Sequence, residues 1–201
     1  MKFERTAGIL LHPTSLPGKF GIGDIGKEAF NFVDFLDHSG QKLWQVFPLG
    51  PTGYGDSPYQ CFSAFAGNPL LISPEKLFDD GFLSQAELKN IPKFNPSIID
   101  FGEVIDYKKS LLKKAYSHFS ENSNGFEKQF EKFCESHKGW LDDFALFMAA
   151  KEHHGGGLWI NWDKDLVLRK ESTLKKWKEK LSDEIRYYKF VQFQFFKQIF
   201  R

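Results

Sequence analysis

Two short apolar runs stand near the start of the chain, and each ends at a proline. The first covers residues 8–12 and stops at Pro13, while the second covers residues 43–47 and stops at Pro48. Proline has no amide hydrogen for sheet pairing, so it marks the end of a strand. The length and continuous hydrophobicity of both runs predict two β-strands that are buried on both faces.

The segment between these runs has the spacing of an amphipathic helix. We predict a helix over residues 25–38, with Asp24 as its N-cap and Gly40 as the left-handed residue after its end. Its apolar positions lie roughly on one face: Phe30, Val33 and Leu36. Buried strands joined through a helix are parallel with a right-handed crossover, so we predict one βαβ unit of an α/β layer or barrel.

Two long loops follow the predicted strands, at residues 13–23 and 49–68. Both exceed the roughly two to six residues usual after a strand, and long loops in compact domains are usually functional. In α/β folds ligands bind at the carboxyl ends of the strands, where both loops begin. The second loop sets four aromatic residues among short polar ones: Tyr54, Tyr59, Phe62 and Phe65 beside Asp56, Ser57, Gln60, Ser63 and Asn68.

Aromatic rings beside short hydrogen-bonding side chains are what a saccharide site requires. Sugars present apolar C–H faces, on which rings stack, and a rim of hydroxyls, which polar side chains bind. The second loop therefore indicates a sugar site. A loop packed beneath the rim of a barrel would have the same composition, so both interpretations stay open at this point.

The chain from about residue 79 onward is rich in Lys, Glu and Phe and has mostly helical periodicity. In its last predicted helix, over residues 181–200, large apolar side chains cover most of the circumference. Such a helix must be buried on several sides, and the preceding chain offers only two strands to pack on. We therefore expect the chain on its own to expose an apolar face, to aggregate or to stay partly molten.

The composition excludes several classes of protein. With 27 basic and 26 acidic side chains the formal net charge is +1, too small for bulk charge to hold the chain to nucleic acid or an anionic membrane. Two cysteines, Cys61 and Cys134, are too few for a disulfide scaffold or a four-cysteine zinc site. The N-terminus lacks an apolar signal-peptide core and no run approaches about 18 apolar residues, so we expect a cytoplasmic protein.

Two short motifs resemble binding signals, but we expect neither a metal nor a cofactor. His153 and His154 beside Glu152 are helix neighbours whose side chains point about 100° apart, so they do not easily share one ion. Residues 21–26 read GIGDIG and meet the GxGxxG pattern of dinucleotide-binding loops. In the Rossmann fold this motif is the tight turn after the strand, whereas here it starts about nine residues later. A redox enzyme is therefore a weak alternative.

Three ordered blocks of the sequence closely resemble the amylomaltases, the 4-alpha-glucanotransferases of maltodextrin and starch metabolism. The first is AGILLHPTSLPG (7–18) with GIGDIG (21–26), and the second is WQVFPLGPTGYGDSPYQ (44–60) with SAFAGNPL (63–70). The third comprises KEHHGG (151–156), Trp159, Trp162 and the helix YKFVQFQFF (188–196). The likeness spans nearly the whole chain and is weakest between about residues 79 and 140.

The resemblance implies an α/β fold, the N-terminal part of a (β/α)8 TIM barrel with a mostly helical insertion. It implies three sections: residues 1–78 as the first βαβ unit with the site loops, 79–165 as a helical inserted subdomain, and 166–201 as a helix returning to the barrel. A barrel of this class takes about 250 residues. The resemblance therefore implies that this chain is an N-terminal fragment.

The resemblance also implies an activity and a partner. The amylomaltases transfer α-1,4-glucan segments between maltodextrins by a retaining double displacement, with one carboxylate as nucleophile and a second carboxyl group as acid. Those acids lie on later strands, so we expect no catalytic residue here and no activity of the chain alone. The expected substrate contacts are Ser57 and Tyr59, with Asp56 and Tyr54 as further candidates. Asp56 is better explained as a turn residue that hydrogen-bonds nearby backbone amides, and Tyr54 can also be explained as a lid contact.

A non-catalytic glucan-binding or regulatory module of the same ancestry is the alternative function. It requires a complete core and glucan binding that depends on Tyr59. Asp24 and Asp56 are not interpreted as a pair of glycosidase acids, because Asp24 fits a helix cap. Both functions predict α-1,4-glucan oligosaccharides as partners, without nucleic acid or membrane.

Overall fold

The computed structural model describes residues 5–200, apart from the side chain of Tyr54. The chain divides into two compact units. The first comprises the residues up to Asn124 together with those from Gln194 onward, and the second comprises Gly125–Phe193. The predicted division into residues 1–78, 79–165 and 166–201 stays a prediction, since it concerns how a whole barrel would be built.

The first unit begins with two parallel strands joined through a helix. Strand β1 (Gly8–Leu10) pairs in parallel with β2 (Leu43–Gln45), and helix α1 (Lys27–His38) connects them. The Leu11 N–H extends the ladder by donating to the Gln45 carbonyl at 3.0 Å. The predicted parallel βαβ unit is therefore confirmed, with strands slightly shorter than the apolar runs.

The start of α1 differs from the prediction. The helix begins at Lys27 with Gly26 at the N-cap position, and Asp24 is not its cap. The Asp24 carboxylate instead accepts a hydrogen bond from Lys108 Nζ at 3.1 Å. A buried ammonium group left without a carboxylate costs more than a helix start without a side-chain cap, which explains the change of partner. The predicted C-terminal end is confirmed, because Gly40 has a φ of +69°.

The apolar face of α1 is only partly the predicted one. Phe30 and Val33 are 43% and 48% exposed. The side chains that do pack inward follow an i, i+3, i+7 spacing: Ala29, Phe32 and Leu36. Phe32 meets the Trp44 ring of β2 edge-on at 5.0 Å. Phe30 instead contacts Lys76, whose Nζ lies 4.2 Å from the ring centroid.

The prediction that both strands are buried on both faces is wrong for the described part of the chain. Ile9, Leu10 and Leu43 are 38%, 50% and 48% exposed. Within residues 5–200 the sheet has two strands, so no third strand shields these side chains. On α1, Phe35 is also 57% exposed. The βαβ unit therefore presents apolar surface to solvent.

We expect this surface to bind the dye ANS when the chain is studied alone at neutral pH. Each large apolar side chain left in water forgoes about 1.5–3 kcal/mol of burial, which favours dye binding and self-association. ANS titration with light scattering measures both. The double change Leu10→Thr and Leu43→Thr, at two exposed strand positions, should lower dye binding. A clean two-state melt of a monomer that binds no dye would contradict this expectation.

The rest of the first unit packs around a long helix. Its helices are α2 (Pro74–Asp79), α3 (Gln85–Lys89) and α4 (Phe101–Glu121). Val104 of α4 forms an apolar cluster with Ile22 and Leu70, which joins the helix to the first long loop and to the turn directly after the second. The Gln198 side chain exchanges two hydrogen bonds with the backbone of Ser73, at 2.7 and 3.3 Å. This contact fixes the C-terminal end of the last helix to the same unit.

The last helix, α8 (Ser182–Ile199), is buried around its whole circumference in the middle. Residues 190–195 are all buried, in direct succession. Six successive residues pass more than once around an α-helix, so no side of this stretch faces water. The prediction that this helix is buried on several sides is confirmed.

The second unit is entirely helical in its regular structure. It contains α5 (Glu127–His153), α6 (Lys164–Val167), α7 (Glu171–Lys180) and the first part of α8. Its core is built on Ala149, Ala150, Leu166 and Leu181. At the end of α5 the His154 ring donates to the Ala150 carbonyl, with 2.7 Å between Nδ1 and the oxygen. Within residues 5–200, no helix combines the length and apolarity needed to cross a membrane.

Candidate functional site

A row of three rings stands at the carboxyl ends of the two strands. His12 follows β1 and Phe47 follows β2, and their rings stack with 6.3 Å between centroids. Tyr59 comes from the second long loop, and its ring lies 5.7 Å from that of Phe47. The two long loops therefore lie at the same end of the sheet, as the sequence predicted.

The first loop is held in one conformation by short hydrogen bonds. His12 Nδ1 lies 2.7 Å from the Thr14 hydroxyl, and the Gly23 N–H donates to the Thr14 carbonyl at 3.1 Å. A Cβ on Gly23 would lie 2.1 Å from the carbonyl oxygen of Pro13, so only glycine fits there. Burial lowers the pKa of His12, which favours a neutral imidazole near pH 7. The ring at this end of the row is therefore favoured in its uncharged form.

The glycines of the GxGxxG segment allow close packing in and directly after the first loop. Gly21 has a φ of +81° beneath the ring of Phe94, and Gly26 lies against the Ser73 side chain. The three glycines permit close packing over several residues, whereas the Rossmann motif is one tight turn before a helix. The arrangement gives no support to a redox enzyme.

The second loop forms a narrow hairpin. An isolated antiparallel bridge joins Thr52 to Cys61, and the Gly53 N–H donates to the Gln60 carbonyl at 2.8 Å. At the base of the loop the Asn68 N–H donates to the Leu49 carbonyl at 2.7 Å. Because both ends of the loop are tied, its tip is carried at a defined position above the strands.

The tip of the hairpin carries the predicted sugar contacts. Tyr59 is 72% exposed, and its backbone N–H donates to Ser57 Oγ at 3.3 Å. Asp56 closes the turn Tyr54–Asp56 with a left-handed φ of +54°. The side chain of Tyr54 lies outside the described residues. The fold thus brings Ser57 and Tyr59 together at the tip and places Asp56 in a turn; a role in sugar binding stays a prediction for all four.

A cleft of about 500 Å³ opens beside this tip. Tyr59, Phe65 and Gly67 of the second loop line it together with Phe195 and Phe196 of α8. Ser57 and Asp56 are not among its lining residues. The contribution of α8 is absent from the sequence predictions, since the all-round hydrophobicity of that helix indicates burial but not a neighbour. No carboxylate stands among the described side chains that line the cleft.

The floor beneath both loops contains a buried ion pair. Lys108 of α4 is 1% exposed, and its Nζ donates to Asp24 at 3.1 Å and to the Ile72 carbonyl at 2.9 Å. Asp24 directly follows the first loop, and Ile72 lies shortly after the second. The lysine therefore links the ends of the two loops, and it leaves Asp24 in the interior rather than in the cleft. This rules Asp24 out as one of two acids acting on a bound sugar.

Comparison with known proteins identifies the family. The profile of glycoside hydrolase family 77, described as 4-alpha-glucanotransferase, matches residues 11–201. The chain belongs to this family. The resemblance inferred from the loop blocks is thereby confirmed.

Several 4-alpha-glucanotransferases are similar over nearly the whole of this chain. The protein from Synechocystis sp. is 48% identical, with 97% of this chain and 39% of that relative aligned. The one from Thermus thermophilus is 45% identical, with 98% and 39% aligned. A chloroplastic/amyloplastic relative from Solanum tuberosum is 37% identical, with 97% and 34% aligned. The chain thus spans about two-fifths of the length of these 4-alpha-glucanotransferases.

Two solved amylomaltases have a similar fold. The amylomaltase from Streptococcus agalactiae in complex with acarbose superposes with a TM-score of 0.92 at 41% identity, over 98% of this chain and 40% of that one. The amylomaltase from Corynebacterium glutamicum gives a TM-score of 0.72 at 18% identity, over 96% of this chain and 27% of that one. The second likeness concerns the fold alone.

Proposed function

We propose that this chain supplies the donor-side sugar contacts of a 4-alpha-glucanotransferase. The observation that carries the proposal is the exposed Tyr59 ring, which stands at the carboxyl ends of two parallel strands in a member of this family. The exposed Tyr59 ring, in tilted contact with Phe47, offers a flat apolar face to a sugar. Ser57 beside it supplies a hydroxyl to the sugar rim.

We infer that β1 and β2 are the first two strands of a (β/α)8 barrel. The exposed apolar side chains on both strands support this, because neighbouring strands and helices of a barrel would cover them. The sections 1–78, 79–165 and 166–201 then correspond to the first βαβ unit, a helical insertion and a helix returning to the barrel.

The proposed reaction is a retaining transfer of α-1,4-glucan segments between maltodextrins. A retaining mechanism needs two carboxyl groups about 5–5.5 Å apart, one as nucleophile and one as acid and base. The described lining of the cleft holds no carboxylate, and Asp24 is paired with Lys108 in the interior. We propose that both acids come from parts of the protein other than these cleft residues, and that the 201-residue chain positions a sugar without cleaving it.

We expect Tyr59→Ala to lower the affinity of the chain for maltoheptaose about two- to tenfold, since loss of one aromatic platform removes about 0.5–1.5 kcal/mol. Isothermal titration with maltoheptaose, and with acarbose as a second probe, measures the change. Tyr59→Phe keeps the ring and should bind nearly as well as the unaltered chain. Phe78→Ala removes an exposed ring from α2, away from the cleft, and should have no effect.

The same samples test the assignment of the acids. Incubation of the unaltered chain with maltotriose should give no disproportionation products by chromatography. Turnover by the 201 residues alone would mean that the acids are present and would overturn this part of the proposal. Glucan affinity that Tyr59→Ala leaves unchanged would overturn the donor-side site.

A further inference from the structure

A second pocket, separate from the cleft beside Tyr59, lies within the helical unit. It has a volume of about 240 Å³. Its walls come from α5, α6, α7 and the short turn Trp159–Asn161. Six side chains give it its chemistry: Phe147, Trp159, Trp162, Leu174, Asp143 and Arg169. Nothing in the proposed transfer reaction makes use of these residues.

The wall of the pocket is a rigid aromatic surface. The Trp162 ring packs against Phe147 with 5.5 Å between centroids, and it stacks on His154 at 5.0 Å with 16° between the planes. Trp159 stands at the mouth and is 50% exposed. Two indole rings, one fixed and one open to solvent, form the kind of apolar surface on which the C–H face of a sugar packs.

The rim of the pocket is polar and has no net charge. Arg169 Nη2 lies 2.8 Å from Asp143 Oδ2, and both side chains are more than half exposed. An exposed pair of this kind contributes little to stability, so a ligand can share its groups at small cost. Guanidinium donors beside carboxylate acceptors match a rim of hydroxyls, and their opposite charges disfavour an anion or a cation.

Two further features fit a ligand of this class. The indole N–H of Trp162 is buried and has no acceptor among the described residues, and a buried donor without a partner is rare in proteins. The volume of 240 Å³ is below the roughly 300–1,000 Å³ of sites for drug-sized ligands. The pocket therefore suits a ligand smaller than these, on the scale of one sugar ring rather than several.

We propose that this pocket binds a single neutral hexose unit, the end of a glucan chain, as a second saccharide site on the molecule. That the hexose belongs to an α-glucan rests on the proposed function; that the ligand is a neutral polyol rests on the pocket alone. In this proposal the hexose ring packs between Trp159 and Trp162, and the hexose hydroxyls bind Arg169 and Asp143. Such a site holds a long substrate on the protein independently of the cleft beside Tyr59.

Titration of the full chain with maltose, followed by NMR of ¹⁵N-labelled indole groups, tests the proposal. The chain has five tryptophans, so the spectrum is simple. The indole signals of Trp159 and Trp162 should shift in a saturable manner, and that of Trp44 should stay in place. Trp159→Ala should weaken this binding about three- to tenfold, since one stacked ring is lost. Ile160→Ala, at a neighbouring position that is 61% exposed, should leave it within about twofold.

A variant of the other site separates the two proposals. In Tyr59→Ala the maltose-induced shifts of Trp159 and Trp162 should persist with unchanged affinity, whatever happens to binding at the cleft. Loss of these shifts in Tyr59→Ala would overturn the second site. Absence of any shift in a folded, unaltered chain would also overturn it, as would equal weakening by Ile160→Ala and Trp159→Ala. Far-UV circular dichroism of each variant establishes that it is folded.

Discussion

Replacing Lys108 with alanine is expected to lower the free energy of unfolding of the chain by about 3–5 kcal/mol, because one partner of a buried ion pair is removed. The ammonium group is 1% exposed, and it donates to Asp24 at 3.1 Å and to the Ile72 carbonyl at 2.9 Å. Without it, the Asp24 carboxylate, which is 13% exposed, loses this cation, and Ile72 loses a hydrogen bond. Both losses occur where water cannot fully compensate.

Burial lowers the pKa of Lys108, and the nearby Asp24 charge counteracts this effect. The desolvation of the Lys108–Asp24 pair therefore offsets much of the free energy gained from its attraction. Removing one partner destabilises the chain by more than the intact pair stabilises it. Lys108→Met combined with Asp24→Asn removes both charges. We expect this double variant to lose less stability than Lys108→Ala alone.

Urea unfolding followed by circular dichroism and tryptophan fluorescence measures these differences. Lys114→Ala removes an exposed lysine from the same helix and should change the stability by no more than about 0.5 kcal/mol. The prediction fails if Lys108→Ala and Lys114→Ala unfold at the same urea concentration. It also fails if the double variant with Lys108→Met and Asp24→Asn is less stable than Lys108→Ala. That result would mean that the Lys108–Asp24 ion pair is a net stabiliser.

The same substitution should reach the candidate sugar site without touching it. Lys108 links the residue after the first loop to a residue shortly after the second, so its loss releases the ends of both loops. Lys108→Ala should then lower glucan affinity by more than Lys114→Ala does, although no atom of Lys108 lines the cleft. We therefore regard Lys108 as a positioning residue for the proposed site.

Local patterns predict the part of the fold that depends on neighbouring residues. The two apolar runs predict strands, and Gly40 is predicted as the left-handed residue after a helix. The structure contains the two strands and a positive φ at Gly40. The prediction for Asp24 applied a sound local rule and was wrong. Its partner, Lys108, is 84 residues away in the sequence, and a local sequence pattern cannot predict such a distant contact.

The candidate site divides in the same way. Tyr59 and Ser57 belong to one continuous block, and its resemblance to the amylomaltases is enough to propose them as sugar contacts. Phe195 and Phe196 line the same cleft from a helix more than a hundred residues later. The apolar residues of α8 lie on all sides of the helix. This pattern predicts that α8 is buried but does not show which side faces the loop. Which loop such a helix covers is decided by tertiary packing.

Gly67 is where this packing is tightest, and Gly67→Ala is expected to destabilise the chain by at least about 2–3 kcal/mol through overpacking. A Cβ at this position would lie 2.0 Å from Cδ1 and 2.2 Å from Cε1 of the Phe195 ring. The ring is 4% exposed and cannot move away without displacing its neighbours. Since Gly67 and Phe195 both line the cleft, glucan affinity should fall together with stability.

A matched glycine and a compensating change isolate this clash. Gly139 lies inside helix α5, where an added Cβ would have no neighbouring atom within 4 Å, so Gly139→Ala should stabilise the chain by about 0.5–1 kcal/mol. Adding Phe195→Leu to Gly67→Ala should restore part of the lost stability, because a smaller side chain makes room for the methyl group. Urea unfolding and maltoheptaose titration of these variants and the unaltered chain test this. If Gly67→Ala behaves like Gly139→Ala, the close approach of loop and helix does not exist, and α8 does not form a wall of the cleft.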